Sequence, residues 1–515
     1  MTRSDRVALV LSLVAVVVAY LVADRVFERM AHLEDEVAYV WQAQAIAGGH
    51  LTLPSPTYSK SFLVPFVVDY NGQRFGKYPL GWPAALAMGE VLGVRAWVNS
   101  LLAGLGVWLT YRLGKRLFSE TVGLLAAGLT LTSPFFMMNS GSLLSHPFGL
   151  VLSVAFALAW LDAWGEPDAL PASGWKSWLP VFTAGACLGL LAFTRPLTAV
   201  GMALPFVPHA VMLWFRRDWA VRRRLLVFAL LAAVLAGFIF IWQFAVTGDP
   251  LLNPYTLWWK YDKVGFGPGV GRMESGHTLH QARINTKHSL WVGWHDYFGW
   301  GAYSWLFLPF GVLALLWKRR WKALSGLTVF PSLVLVYLAY WIGSSLFGPR
   351  YYYEGLFSLT IASAAGIAWL AGWPLLPGEA WPRYPGWRRF RTLGTTALCA
   401  VLLSTNLIFY TPLRLKSMQG LYTITRSRLE PFLTPQAQEV TPALIIVHPS
   451  KWMEYGALLE LSNPYLNTPF LFVISVGADT DQAVAAQYAG QRTIINYYPD
   501  DPWTFKVVPP SSLSP

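Results

Sequence analysis

Residues 6–27 read RVALVLSLVAVVVAYLVADRVF, and a few positions later residues 33–39 read LEDEVAY. The first stretch is too long for the apolar core of a signal peptide and has no small-residue cleavage site, so it reads as a retained membrane helix. Working outward, further apolar runs follow near 95–111, 121–138, 147–164, 178–194, 197–215, 225–246, 303–317, 324–346, 354–373 and 392–410. With the first run this predicts about eleven spans. The run 83–92 is too short to cross and reads as an interfacial or re-entrant helix. Composition agrees: of 515 residues 55% are hydrophobic and only 13% charged, about half the charge that covers a soluble domain. The fold class expected is therefore a polytopic α-helical membrane protein, and disorder is excluded.

Basic residues set the sides. With the N-terminus in the cytoplasm, the inner loops hold Arg3 and Arg6; Arg112, Lys115 and Arg116; Lys176; Arg216, Arg217, Arg222, Arg223 and Arg224; Lys318, Arg319, Arg320 and Lys322; and Arg383, Arg388, Arg389 and Arg391. These are nineteen of the 39 Lys and Arg, which follows the positive-inside rule. They account for much of the net charge of +12 without a nucleic-acid partner. Cys187 and Cys399 both lie in apolar runs, so no disulfide framework or zinc-ligand spacing is present.

The outer side then carries residues 28–94, residues 247–302 and a tail from 411 to 515. This divides the chain into a membrane domain, 1–410, and a small extracytoplasmic α/β domain, 411–515. In the tail, Ala443 to Val447, Phe470 to Val476 and Thr493 to Tyr498 read as strands, with helices at 450–461 and 481–488 between them. That alternation predicts a parallel sheet. No inner loop is large enough for an active site, so the chemistry is expected outside.

Within residues 28–94, the apolar spacing of Val40, Ala43 and Ala47, closed by Gly48-Gly49, predicts an amphipathic helix with Asp35 and Glu36 in its first turn. Acids favour that position through the helix dipole alone. Asp35, however, stands where a membrane-embedded donor and a water-borne acceptor meet, and a carboxylate there can take a hydroxyl proton during attack on an electrophilic carbon. Gly76-Lys77-Tyr78-Pro79-Leu80-Gly81 reads as a turn that presents Lys77 near the membrane surface.

These residues resemble a family. Asp35-Glu36, Tyr39, Ala43 and Gly48 are similar to the first-loop signature of the GT-C membrane glycosyltransferases, and Lys77-Tyr78-Pro79-Leu80 to the Lys-Pro-Pro-Leu of their protein O-mannosyltransferase and aminoarabinose-transferase branch. The resemblance implies transfer of a sugar from a polyprenyl-phosphate carrier to an acceptor on the outer face, with inversion and with Asp35 as base. Glu36 would orient Asp35 or the acceptor. Arg195, in Phe193-Thr194-Arg195-Pro196, and Arg350, in Gly348-Pro349-Arg350-Tyr351, stand at outer span ends and would hold the phosphate with Lys77, beside Tyr78 and Tyr351. Both arginines also suit plain interfacial anchoring. Residues 139–147 depart from the family pattern, since they hold His146 but no acid; His146 can stand in as a polar contact or a weak ligand, a lone His without a nearby carboxylate is more often structural, and no metal is expected. In residues 247–302, His277 and His280 lack completing zinc ligands, and the tryptophans suit stacking on a sugar or prenyl chain in a mobile lid. The sugar acceptor is left open among protein, lipid and glycan, and membrane lipids are the other partner. The competing readings are a transporter or flippase of lipid-linked glycans and a non-catalytic envelope scaffold. A transporter is disfavoured because the charges sit at span ends and no repeat is visible.

Overall fold

The computed structural model describes residues 1–164, 174–319, 323–379 and 387–509. Arg320, Lys322 and Arg383, which belong to the inner-loop basic set, lie outside the described residues, as does the side chain of Arg388. The chain is an integral, multi-pass helical protein. Seven helices are long and apolar enough to cross a bilayer, and up to ten if each of three bent pairs is one span. The opening run forms the helix Arg3–Arg25, capped by Thr2, whose hydroxyl accepts from the Asp5 amide at 3.2 Å while Asp5 Oδ2 accepts from the Thr2 amide at 2.8 Å.

The bent pairs have local causes. Gly81–Val91 turns by 119° into Arg95–Leu117, so the short apolar run is a separate helix, as its length predicts. Ser133-Pro134 breaks the next run into Glu120–Leu131 and Pro134–Gly141, at 60°. Leu279–Asp296 meets Gly301–Trp317 at 96°, so part of the segment read as an open outer loop is an 18-residue helix.

The segment 324–346 departs most from expectation. It is helical only at Leu324–Leu327 and Val329–Tyr337 and then runs irregularly to the turn Arg350–Gly355. Irregular backbone within a bilayer is tolerable only where it is enclosed by protein or lines a cavity. Tyr337, Tyr340 and Trp341 indeed line the cavity described below.

Near the C-terminus lies a four-stranded sheet of order β5-β4-β6-β7, built from β4 (Ala443–Val447), β5 (Phe470–Ile474), β6 (Thr493–Tyr497) and β7 (Lys506–Val507). β4 runs parallel to both β5 and β6. Helices Trp452–Leu458 and Ala478–Tyr488 make the crossovers, and all five residues of β4 are buried. The first outer segment also holds a small antiparallel sheet unmarked in the sequence reading: β1 (Leu53–Pro54), β2 (Val67–Tyr70) and β3 (Gln73–Gly76) in the order β1-β3-β2. Its hairpin turns on Asn71-Gly72, both at positive φ (50° and 73°), the pairing a two-residue turn requires.

The three segments assigned to one side by sequence meet in space. Ser61 O accepts from the Ile474 amide at 2.7 Å, and Phe62 is buried among Leu444, Ile446, Leu471 and Val473 of the C-terminal sheet. The Tyr465 hydroxyl donates to Ala45 O at 3.0 Å, and Arg95 bridges Glu90 and Glu460. Lys77 pairs with Asp262 of the 247–302 segment. Taking each bent pair as one crossing, contact between the first outer segment and the tail requires an even number of crossings between them, so the broken segment 324–346 has to count as one.

Candidate active site

The site starts from the helix Glu34–Ala47. Glu36 closes its first turn: Oε2 accepts from the His32 and Leu33 amides, both at 2.9 Å, and Oε1 accepts from the Leu143 amide at 2.7 Å. Three backbone donors occupy both oxygens, and the side chain is buried. Glu36 therefore does not face the cavity beside Asp35, contrary to the sequence expectation, and nails the helix start to the 142–145 turn instead. The physical reason is the helical period: neighbours on a helix are about 100° apart, so the residue that points into the protein sends its neighbour elsewhere.

Asp35 points into a cavity of about 480 Å³. Its Oδ2 accepts from Arg350 Nη2 at 3.0 Å, and its Oδ1 accepts a short bond from the Tyr78 hydroxyl. Burial pushes the carboxyl upward in pKa, but Arg350, the Tyr78 hydroxyl and Lys77 outweigh it and hold Asp35 below the ordinary carboxylate value. Beside it Glu34 lines the same cavity and is shifted the other way, by burial and then by the Asp35 charge.

Lys77 is not presented at the membrane surface as its turn suggests. It is 3% exposed and enclosed. Its ammonium lies 3.6 Å from the centre of the Phe66 ring, 4.8 Å from that of Trp259 and 5.0 Å from that of Tyr255, and donates to Asp262 Oδ2 at 3.3 Å. Burial lowers its pKa, with Asp262 and Asp35 opposing in part. Asp262 in turn accepts from Trp341 Nε1 at 3.0 Å and the Tyr340 hydroxyl at 3.1 Å.

Arg195 sits in the extended residue between the helices Leu179–Thr194 and Pro196–Ala203, at φ −144° and ψ 80°. Its guanidinium reaches Glu354 Oε1 at 3.0 Å, Ser145 Oγ at 3.2 Å and the Tyr337 hydroxyl at 3.2 Å. His146 Nδ1 meets the same Glu354 oxygen at 3.2 Å. The acid partner absent from the sequence around His146 thus arrives from 208 residues away. Arg350 opens a tight turn after Gly348, which sits at φ 71°; a Cβ at Gly348 would come within 2.5 Å of Phe135. Tyr351 stacks on Tyr337 at 5.0 Å and 6°.

Asp35, Lys77, Tyr78, His146, Arg195, Arg350 and Tyr351 therefore line one cavity, and Glu36 does not. The sequence reading missed the acids that hold the cations, Asp262 and Glu354, and the rim residues Lys263, Arg272, Tyr422 and Trp452. An acid at the head of an apolar run was the available signal for Glu354. From the 247–302 segment Tyr255, Trp259 and Asp262 form cavity wall, whereas the exposed Trp291 and Trp294 do not reach it. His277 is spent on Leu338 O at 2.9 Å and stacks on Phe266.

ArnT from Cupriavidus metallidurans bound to undecaprenyl phosphate superposes with a TM-score of 0.59 at 13% identity, covering 95% of this chain and 92% of that one. The archaeal oligosaccharyltransferase AglB from Archaeoglobus fulgidus, in complex with an inhibitory peptide and a dolichol-phosphate, gives 0.53 at 13% identity, covering 90% of this chain and 64% of its own. The chain has the GT-C fold. No protein-family model and no curated protein sequence matches it. The GT-C fold here extends to the C-terminal sheet, since the ArnT match covers nearly the whole chain. An Archaeoglobus fulgidus oligosaccharyltransferase is also known in complex with Zn and sulfate. Among the described residues of this chain, no three His, Cys, Asp or Glu group to hold a metal ion. Asp35, Asp262 and Glu354 are each engaged by a cation, so these side chains as arranged do not fit a divalent-cation site.

Proposed function

We propose that this chain is a glycosyltransferase that moves a sugar from a polyprenyl-phosphate carrier to an acceptor on the outer face of the membrane, with Asp35 as general base. The N-terminus is cytoplasmic in this reading, and residues 411–515 form an extracytoplasmic unit whose Tyr422 and Trp452 line the cavity. The observation that carries it is the convergence, inside a GT-C fold, of Asp35 with Lys77, Arg195 and Arg350 on one cavity. The known undecaprenyl-phosphate and dolichol-phosphate complexes of the similar structures support the donor class.

The acceptor oxygen attacks the anomeric carbon, its proton passes to Asp35, and the bond from that carbon to the phosphate oxygen breaks with the electron pair leaving on the phosphate. A glycosidase needs a second carboxyl as acid because a sugar oxygen leaves poorly. A phosphate leaves once its growing charge is neutralised, which asks for cations rather than a second acid. Tyr78 holds the base in place, and the aromatic walls from Tyr255, Trp259 and Tyr351 keep water from competing with the acceptor. The test is transfer from radiolabelled polyprenyl-phosphate sugar by the purified protein and by its Asp35→Asn variant. Donor consumption that falls by at least about a hundredfold in a correctly inserted variant fits the scale of general-base catalysis. Near-normal transfer by that variant removes Asp35 from the mechanism.

A further inference from the structure

The cations read as phosphate ligands are all engaged by carboxylates. Lys77 is held by Asp262 at 3.3 Å, Arg195 by Glu354 at 3.0 Å and Arg350 by Asp35 at 3.0 Å. Lys263 and Arg272, both exposed, line the same cavity and can meet an anion first, but they do not change this pairing deeper in. An anion that reaches the three enclosed cations therefore has to take one from its carboxylate.

The three pairs are not equally easy to open. Asp262 and Glu354 have side chains only 2% and 1% exposed. Asp262 is also tied to Tyr340 and Trp341, and Glu354 to His146. Asp35 is 23% exposed and has Tyr78 as its one other side-chain bond. On the other side of that pair, Arg350 Nη1 is buried and has no hydrogen-bond partner among the described residues. A guanidinium with an unsatisfied buried N–H loses little by turning, because a new acceptor can satisfy that donor while it releases the old one. Arg350 is thus the place where a phosphate exchanges most cheaply for a carboxylate.

We infer that the donor phosphate displaces Asp35 from Arg350, so that the base is uncovered only after the donor is seated. This rests on the donor reading above and adds an order to it: donor first, acceptor second. With Arg350 on the phosphate, Asp35 keeps its bond from Tyr78 and so keeps its position. It loses the positive charge that makes it a poor proton acceptor. Before the donor is seated the same ion pair occupies Asp35 Oδ2 and weakens the carboxylate as a proton acceptor, so an acceptor hydroxyl is not activated without a sugar to receive it.

Undecaprenyl phosphate is titrated against the full-length protein in lipid nanodiscs, followed by intrinsic tryptophan fluorescence. Asp35→Asn removes the competitor for Arg350 and is expected to tighten Kd by about tenfold or more, the weight of one charge-assisted hydrogen bond. The gain is expected to vanish in an Arg350→Gln background. Asp35→Ser carries the same expectation and serves if the asparagine variant does not insert. Unchanged or weaker binding in a folded position-35 variant overturns the exchange, as does a gain that persists without Arg350; either leaves the donor reading standing. A wild-type protein that does not bind undecaprenyl phosphate overturns the donor reading and the exchange with it.

Discussion

In the proposed reaction Lys77 would have two jobs that a single substitution confounds, holding the donor phosphate and pairing with Asp262, and the buried pair offers a way to separate them. The ammonium and its partner Asp262 are 3% and 2% exposed. Removing one member of a buried pair leaves the other charge without its counterion, which costs about 3–5 kcal/mol. Asp262 keeps two neutral donors, Tyr340 and Trp341, so the cost of Lys77→Met lies at the low end, about 3 kcal/mol. Methionine retains contact with the Phe66 and Trp259 rings that now face the ammonium, so little packing is lost. Converting both partners, Lys77→Met with Asp262→Asn, removes the uncompensated charge, and stability is expected to return to within about 1 kcal/mol of wild type. Sodium dodecyl sulfate titration of the protein in mixed micelles, followed by tryptophan fluorescence, measures both. Sugar transfer stays low in both variants, because neither offers an ammonium to the phosphate. A single variant within about 1 kcal/mol of wild type, or a double variant as unstable as the sum of the singles, refutes the buried-pair reasoning.

Two further outcomes follow from the site. Glu36→Gln keeps the shape of the capping side chain while all three of its partners are backbone donors, so about 1–3 kcal/mol of stability is lost. Transfer per folded molecule then stays within about tenfold of wild type, since no reacting group is touched; a loss on the scale of Asp35→Asn returns Glu36 to the chemistry. For pH, Asp35 is held below the ordinary carboxylate value in the free protein, so the acid limb of kcat/KM, which reports the free enzyme, falls below about pH 4. The same shift adds stability that is present above about pH 4 and is lost as pH falls through the folded value. Once the donor has taken Arg350, burial acts without its main counter-charge, so the acid limb of kcat lies at higher pH than that of kcat/KM. Coincident limbs contradict the exchange.

Sequence periodicity was enough for elements that depend on local order. Three of the four strands of the C-terminal sheet, β4, β5 and β6, fall within about two residues of their expected ends because apolar runs flanked by polar crossovers leave few alternatives, whereas the two-residue antiparallel edge strand β7 carries no such run and was not expected. The short helix Gly81–Val91 was legible by its length alone. The run 324–346 was not, because hydropathy records that a segment avoids water and says nothing about whether lipid or protein surrounds it. Asp35, Lys77 and Arg350 could be picked out individually, but not their pairing, which joins residues 185 and 315 positions apart. Lys77 shows the limit most plainly. The turn around it suggested exposure, and the rings that enclose it come from Phe66 of its own segment together with Tyr255 and Trp259 of the 247–302 segment.

Phe62 lies in the core of a sheet whose strands begin 381 residues later in the chain. During synthesis the first outer segment therefore stays unfinished until β4, β5 and β6 have left the ribosome and reached the same side of the membrane. Until then its apolar surface needs shelter from the insertion machinery or from a chaperone. Damage to those strands would consequently surface as instability of the segment that bears Asp35.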